Sequence, residues 1–254
     1  MPSATLTYGS YLRISELLAL QQRLSDPPHH DELLFIVIHQ VYELWFKQLL
    51  HELDAAVGFL EGDDLLRVAK AFRRIHAIQR VLEQQVEILE TMTPQEFNAF
   101  RTGLNPASGF QSAQFRELEF LSGAKDAGFL ARFRALTDAE RQRLDRRLAE
   151  PSLWDGYVDL LQARGLATGD DAELMSSLVT IAKSRDEHDD LWQLAEDLLN
   201  HDELAGVWRA RHVAMVERQI GTKSGTGGST GAPYLRRRLA LQYYPLLWEL
   251  RDWL

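Results

Sequence analysis

The sequence predicts an all-α protein: a single helical-bundle domain with long central helices and a short N-terminal helical arm. Three observations carry that expectation. Apolar residues recur at steps of three and four through most of the 254 positions. Helix-opening and helix-closing residues flank these runs. No two alternating segments are joined by hairpin-turn chemistry, and no internal repeat occurs. With 45% hydrophobic and 26% charged residues, the chain has the composition to bury one sizeable core. A net charge of −9 argues against nucleic acid or an acidic membrane surface as the main partner. The absence of cysteine excludes disulfides, iron–sulfur clusters, thiolate ligation and cysteine nucleophiles, and it suits the cytoplasm. No uninterrupted apolar run of about 18 residues is present, so no membrane span is expected.

Met1 to Ala4 read as a flexible tail. Thr5 to Gln22 carry Tyr8, Tyr11, Leu12, Leu17, Leu18 and Leu20, and the break at Ser25-Asp26-Pro27-Pro28 sets residues 1–24 apart as an arm. Such an arm packs on its own body (residues 25–254) or on a neighbouring chain. Asp31 to Asp54 form a helix that is apolar over most of its circumference, which predicts burial all round. One polar stripe remains: His39, Glu43, Lys47 and His51. It is either a solvent-facing strip with a Glu43–Lys47 pair, or its His39 end, flanked by Phe35 and Tyr42, faces a cavity.

Leu65 to Met92 carry a heptad-like seam of Val68, Phe72, Ile75, Gln79, Leu82, Val86 and Leu89, the mark of a long bundle helix. His76 beside it reads as surface or core filler. Thr93-Pro94-Gln95-Glu96 opens the next helix with a capping box and a proline in the first turn. Phe97, Phe100, Arg101 and Leu104 share its face before Asn105-Pro106. Further helices are expected over 110–122, 137–150, 152–164, 171–185 and 191–220, the last as one helix or two. A final apolar helix, Pro233 to Trp253, has a possible kink at Pro245.

Three features bear on function. Leu204, Trp208, His212, Met215 and Gln219 fall on one face, so His212 points at the core or at something held in it. Gly221 ends that helix, and a loop with five glycines in eleven residues follows, in which Thr222, Ser224, Thr226, Ser229 and Thr230 offer hydroxyls. Arg101 on an apolar face needs an anionic partner, either an internal acid or a ligand carboxylate. His212 is correspondingly either a satisfied core histidine or a ligand to a bound group. Metal signatures are otherwise lacking: no H-E-x-x-H, and no glutamate three residues before any histidine. His30-Asp31-Glu32 and His188-Asp189-Asp190 read as capping or surface. The glycine loop lacks the G-K-[ST] ending of a phosphate loop. One arrangement uses every remaining feature: a haem held by one histidine, the other on the open side, with arginine and a loop threonine binding a small zwitterion.

Five motifs, in order, resemble the tryptophan 2,3-dioxygenase family: Y-G-S-Y-L (8–12), H-D-E-L-L-F-I-V-I-H-Q-V-Y-E-L-W (30–45), F-N-A-F-R (97–101), N-P-A-S-G-F-Q-S (105–112) and R-H…G-T-G-G-S-T-G (211–231). Residues 125–185 match least and look shortened. The resemblance implies a haem b enzyme that adds O2 across the indole C2–C3 bond of L-tryptophan. It implies His212 as the proximal iron ligand, Gly225 and Gly227 beside the cofactor, and His39 as the distal histidine that accepts the indole N–H. Arg101 would pair with the substrate carboxylate, Thr226 would contact its carboxylate and ammonium ends, and Phe35 and Phe97 would wall the ring. Tyr8 and Tyr11 would come from a neighbouring subunit of a homotetramer. Two other activities share the haem: a monooxygenase forming an oxindole from tryptophan or a substituted tryptophan, and a haem-binding or tryptophan-sensing module without turnover.

Overall fold

The computed structural model describes residues 5–132, 136–227 and 230–254. The expected tail at residues 1–4 and the Ser229 hydroxyl lie outside them. Two short helices, α1 (Tyr8–Tyr11) and α2 (Ile14–Leu17), form the arm. The body runs α3 (His30–Glu61), α4 (Leu65–Glu90), α5 (Pro94–Arg101), α6 (Ala113–Ser122), α7 (Ala127–Arg132), α8 (Asp138–Ala149), α9 (Leu153–Ala163), α10 (Asp171–Lys183), α11 (Arg185–Ile220), α12 (Ala232–Arg237) and α13 (Pro245–Glu249). No strand occurs among the described residues.

The centre is a bundle in which α4 packs against both α3 and α11. All seven predicted seam residues of α4 are buried, with Phe72, Ile75 and Val86 fully so. Each large apolar side chain removed from water contributes roughly 1.5–3 kcal/mol, enough to offset the ordering of its own residue. The seam meets Ile38, Tyr42, Phe46, Leu49 and Leu53 of α3 and Leu191, Leu194 and Leu198 of α11. His76 is core, not surface: its ring bonds the Asp197 carbonyl at 3.0 Å and Asn200 at 3.1 Å.

The predicted capping box at Thr93 and stop at Gly221 are present. Thr137 and Ser152 close further reciprocal boxes at the starts of α8 and α9. α11 is kinked at His188, which is non-helical at φ −132° and ψ 27°, so a short first turn precedes one long helix that runs on through residue 220. The 110–122 helix is divided, because Ser112 caps α6 and leaves Gly109–Gln111 as a separate 3-10 turn.

Two expectations fail. α3 is not buried all round: Leu33, Val37 and Leu44 are exposed along one side, because no element among the described residues covers that face. The C-terminal stretch is not one kinked helix. Residues between α12 and α13 leave helical geometry because the buried Asp202 carboxylate accepts from the Tyr243 and Tyr244 backbone amides (2.8 and 3.2 Å) and from Trp248 Nε1 (3.0 Å). Pro245 then opens α13 instead of kinking a helix.

The arm ends at a fixed point. Glu32, 2% exposed, accepts from the Leu24 amide at 2.7 Å and from the Ser25 amide and hydroxyl. Burial raises this carboxyl's pKa, but the hydrogen bonds to Ser25 and Leu24 more than offset it and leave it lowered. Glu32 is therefore a clamp for the arm, not a metal ligand.

Candidate active site

The first turns of α3, the end of α5, the loop after it and the last turns of α11 converge with the glycine loop. Their side chains build a site with one aromatic wall, one cation and two neutral histidines.

The wall follows from α3 and α5 both presenting phenylalanine inward. The Phe35 ring lies 5.7 Å from Phe97 and 5.7 Å from Phe100, and Phe97 meets Phe100 edge-on at 5.6 Å. Phe100 is buried behind, while Phe35 and Phe97 stay partly open. One turn on, the His39 ring sits 4.0 Å from Phe35. Its Nδ1 lies 2.7 Å from the Phe35 carbonyl oxygen. A carbonyl only accepts, so Nδ1 carries the proton and Nε2 presents a lone pair. Burial lowers the His39 pKa, partly opposed by that hydrogen bond and by Glu43, so the ring is neutral at pH 7.

Down the polar stripe of α3 the environment changes. Glu43 is half-buried and accepts from Gln114 at 2.7 Å, whereas Lys47 and His51 are exposed. The lower end of the stripe thus faces solvent as expected, but the expected Glu43–Lys47 pair does not form among the described residues, because Gln114 takes the Glu43 carboxylate. Tyr42 does not flank the site: it is buried, and its hydroxyl donates to the Leu82 carbonyl at 2.9 Å.

Arg101 ends α5 half-buried and donates to the Ser224 carbonyl of the glycine loop. No carboxylate among the described residues pairs with it, which disposes of the internal salt bridge. Most of its fork is left for an anion. Thr226 Oγ1 donates to the Ala107 carbonyl at 2.6 Å and ties the two loops together. An added Cβ on Gly227 would meet Ser108 Cβ at 2.4 Å, so loop packing alone requires glycine there. Gly231, at φ 69°, would likewise clash with the Lys223 carbonyl at 2.4 Å.

His212 faces this group from α11. Burial, with a smaller contribution from neighbouring His39, lowers its pKa to about 4. The residue stays partly exposed, and no hydrogen bond among the described residues engages its ring nitrogens. It stacks on Trp208, with ring centroids 5.3 Å apart and planes 13° apart. No protein group among the described residues satisfies the ring, and the residue is only partly buried, so its nitrogens are open to water or to a bound group. A small cavity of about 40 Å³ lies elsewhere, beyond Trp208 among Phe46, Leu82, Phe115 and His201, and His212 does not line it.

The family model described as tryptophan 2,3-dioxygenase matches residues 1–169 and 170–254. The chain belongs to the tryptophan 2,3-dioxygenase family. It is 61% identical to a tryptophan 2,3-dioxygenase of Nocardioides sp., over 98% of this chain and 95% of that one. It is 48% identical to that of Herpetosiphon aurantiacus over 98% of both chains, and 41% identical to that of Myxococcus xanthus over 96% and 88%. The segment 125–185, expected to match least, is matched as well; the two pieces of the family match meet inside it, at 169/170.

Within this family frame, Tyr8 and Tyr11 stand apart: they are 78% and 72% exposed on the arm. Neither group of acids beside a histidine forms a metal site, and no cluster of three or more metal-binding side chains occurs among the described residues. Trp208, Phe100 and the Ser224 carbonyl carry weight that the sequence reading did not give them. The four-residue spacing of Trp208 and His212 is the one signal that pointed there.

Proposed function

We propose that this chain is a haem-dependent dioxygenase that cleaves the indole C2–C3 bond of L-tryptophan with O2 and yields N-formylkynurenine. The observation that carries the proposal is a guanidinium without an acid partner, beside a phenylalanine wall and a histidine with a free Nε2 lone pair. Those three surfaces match the three ends of one molecule: a carboxylate, an indole face and an indole N–H. The relatives named above are tryptophan 2,3-dioxygenases. No feature of the site favours the one-oxygen or sensing alternatives.

The donor set fits a haem. An iron ligand must be an unprotonated imidazole with an uncommitted nitrogen, and His212 is neutral at pH 7 with no internal hydrogen bond. Haem bound there would supply the activation of O2. The chain's own residues place the substrate. Arg101 grips the carboxylate. Thr226 spends its proton on Ala107, so its oxygen lone pairs remain to accept from the ammonium. Phe35 and Phe97 hold the ring, and His39 Nε2 accepts the indole N–H and orients C2–C3.

The exposed arm supports a homotetramer whose arms reach adjacent sites. Leu6, Tyr8, Tyr11, Leu18, Leu20 and Leu24 are all more than 60% exposed, an apolar surface that a lone chain leaves in water. Residues 1–24 then act as an exchanged arm and residues 25–254 as the catalytic body, in a cysteine-free chain suited to the cytoplasm. Among the described residues, α3 alone is long and apolar enough to cross a membrane, and its buried face packs in the core.

The test is a haem spectrum with product mass under labelled O2. The protein should bind haem, and both labelled atoms should appear in the product. His212→Ala should lose the haem absorption; retained pigment and turnover in that variant would overturn the assignment.

A further inference from the structure

A metal-bound histidine is ordinarily held in place through its second ring nitrogen, which donates to a carboxylate or a carbonyl. His212 has no such partner among the described residues. What it has is Trp208, one helical turn earlier, stacked at 5.3 Å and nearly parallel at 13°. Trp208 is itself wedged, meeting Phe115 at 5.3 Å and Tyr42 edge-on at 6.1 Å. Tyr42 is pinned in turn by its bond to the Leu82 carbonyl, and Phe115 packs on Phe46 at 5.6 Å. Trp208 Nε1 is buried beside the Tyr42 hydroxyl, whose oxygen accepts from it while the hydroxyl proton goes to the Leu82 carbonyl.

We propose that Trp208 is the positioning residue for His212: its indole, clamped by Phe115 and Tyr42, fixes the imidazole plane by stacking where a hydrogen bond would otherwise do so. The proposal rests on His212 being the haem ligand. Rotation of the imidazole is then resisted by aromatic overlap, and the second ring nitrogen is left without a protein acceptor. Replacing the indole with a flexible apolar group frees the ring to turn, which broadens the range of iron–imidazole geometries and speeds haem loss.

The experiment uses haem-loaded full-length protein and three variants, Trp208→Leu, Trp208→Phe and Leu204→Ala. The last removes a core contact on the same face of α11, lining the cavity beyond Trp208. Two readouts besides turnover are taken: the rate of haem transfer to an excess of a haem scavenger, and the iron–histidine stretching band of the ferrous form. Trp208→Leu should release haem at least tenfold faster and shift or broaden the band. Trp208→Phe keeps a stacking ring and should resemble the parent in both. Leu204→Ala should lower thermal stability without moving the band. The proposal is overturned if Trp208→Leu leaves band and release unchanged, or if the Leu and Phe variants lose haem equally. Should Trp208→Leu not fold, Trp208→Phe decides: parent-like behaviour supports stacking and tenfold faster loss refutes it. If His212→Ala retains the iron–histidine band, the ligand assignment fails instead, a distinguishable outcome.

Discussion

Replacing Arg101 with alanine should raise KM for tryptophan far more than it changes anything else. In the structure the guanidinium has one contact, the Ser224 carbonyl, and no carboxylate partner among the described residues. A substrate carboxylate would add charge-assisted hydrogen bonds worth roughly 1.5–3 kcal/mol, which corresponds to a roughly 10- to 150-fold rise in KM on their loss. Stability should hardly move. A half-buried side chain with one neutral acceptor contributes about 1 kcal/mol, or roughly 2–4 °C in Tm at this size. Arg101→Lys keeps the charge but not the fork, so its KM should fall between the two. Steady-state kinetics, haem content and a melting curve on the same three samples separate the effects. Unchanged KM in Arg101→Ala removes the residue from the site. A Tm loss beyond about 10 °C would show instead that the guanidinium holds the fold and that the ledger above is wrong.

Acid should destabilise the protein well above the carboxylate range. Burial lowers His76 to about 4 and His201 to about 3, so from pH 6.5 down to 4 the unfolded chain binds more protons than the folded one. Stability is full above pH 6.5 and falls with pH, by up to about 1.4 kcal/mol per unit for each histidine. Urea unfolding at pH 7.5 and 5.5 measures the slope, and His201→Gln should flatten it. Gly227→Ala forces Cβ against Ser108 and should part the two loops, raising KM several-fold without loss of haem. Adding Ser108→Gly should recover part of that loss, since the nearest remaining atom is the Pro106 carbonyl oxygen at 3.5 Å; no recovery in the double variant means the glycine is needed for another reason.

The long elements were readable because their signals are local. The α4 seam, the capping box at Thr93 and the stop at Gly221 each depend on residues within a turn or two of one another. So too was the convergence of candidates: the same-face spacing on α11 marked His212, and the apolar face of α5 marked Arg101. Local spacing could not say what either residue met. Arg101 could as well have found an acid, and only the folded chain sets it against Ser224, 123 positions away.

The same limit explains the two failures. Periodicity counts how much of α3 is apolar, but burial depends on which neighbour arrives, and along Leu33, Val37 and Leu44 none does among the described residues. Propensity favours a helix through 233–253, yet Asp202 captures the Tyr243 and Tyr244 amides from over forty residues away, and three hydrogen bonds to a buried charge outweigh a few tenths of a kcal/mol per residue. The sequence by itself determined the helices, their ends and the list of chemically capable residues. The tertiary structure alone decided which of them stand unpartnered around one space, because pairing free energies depend on distances that the order of residues along the chain does not contain.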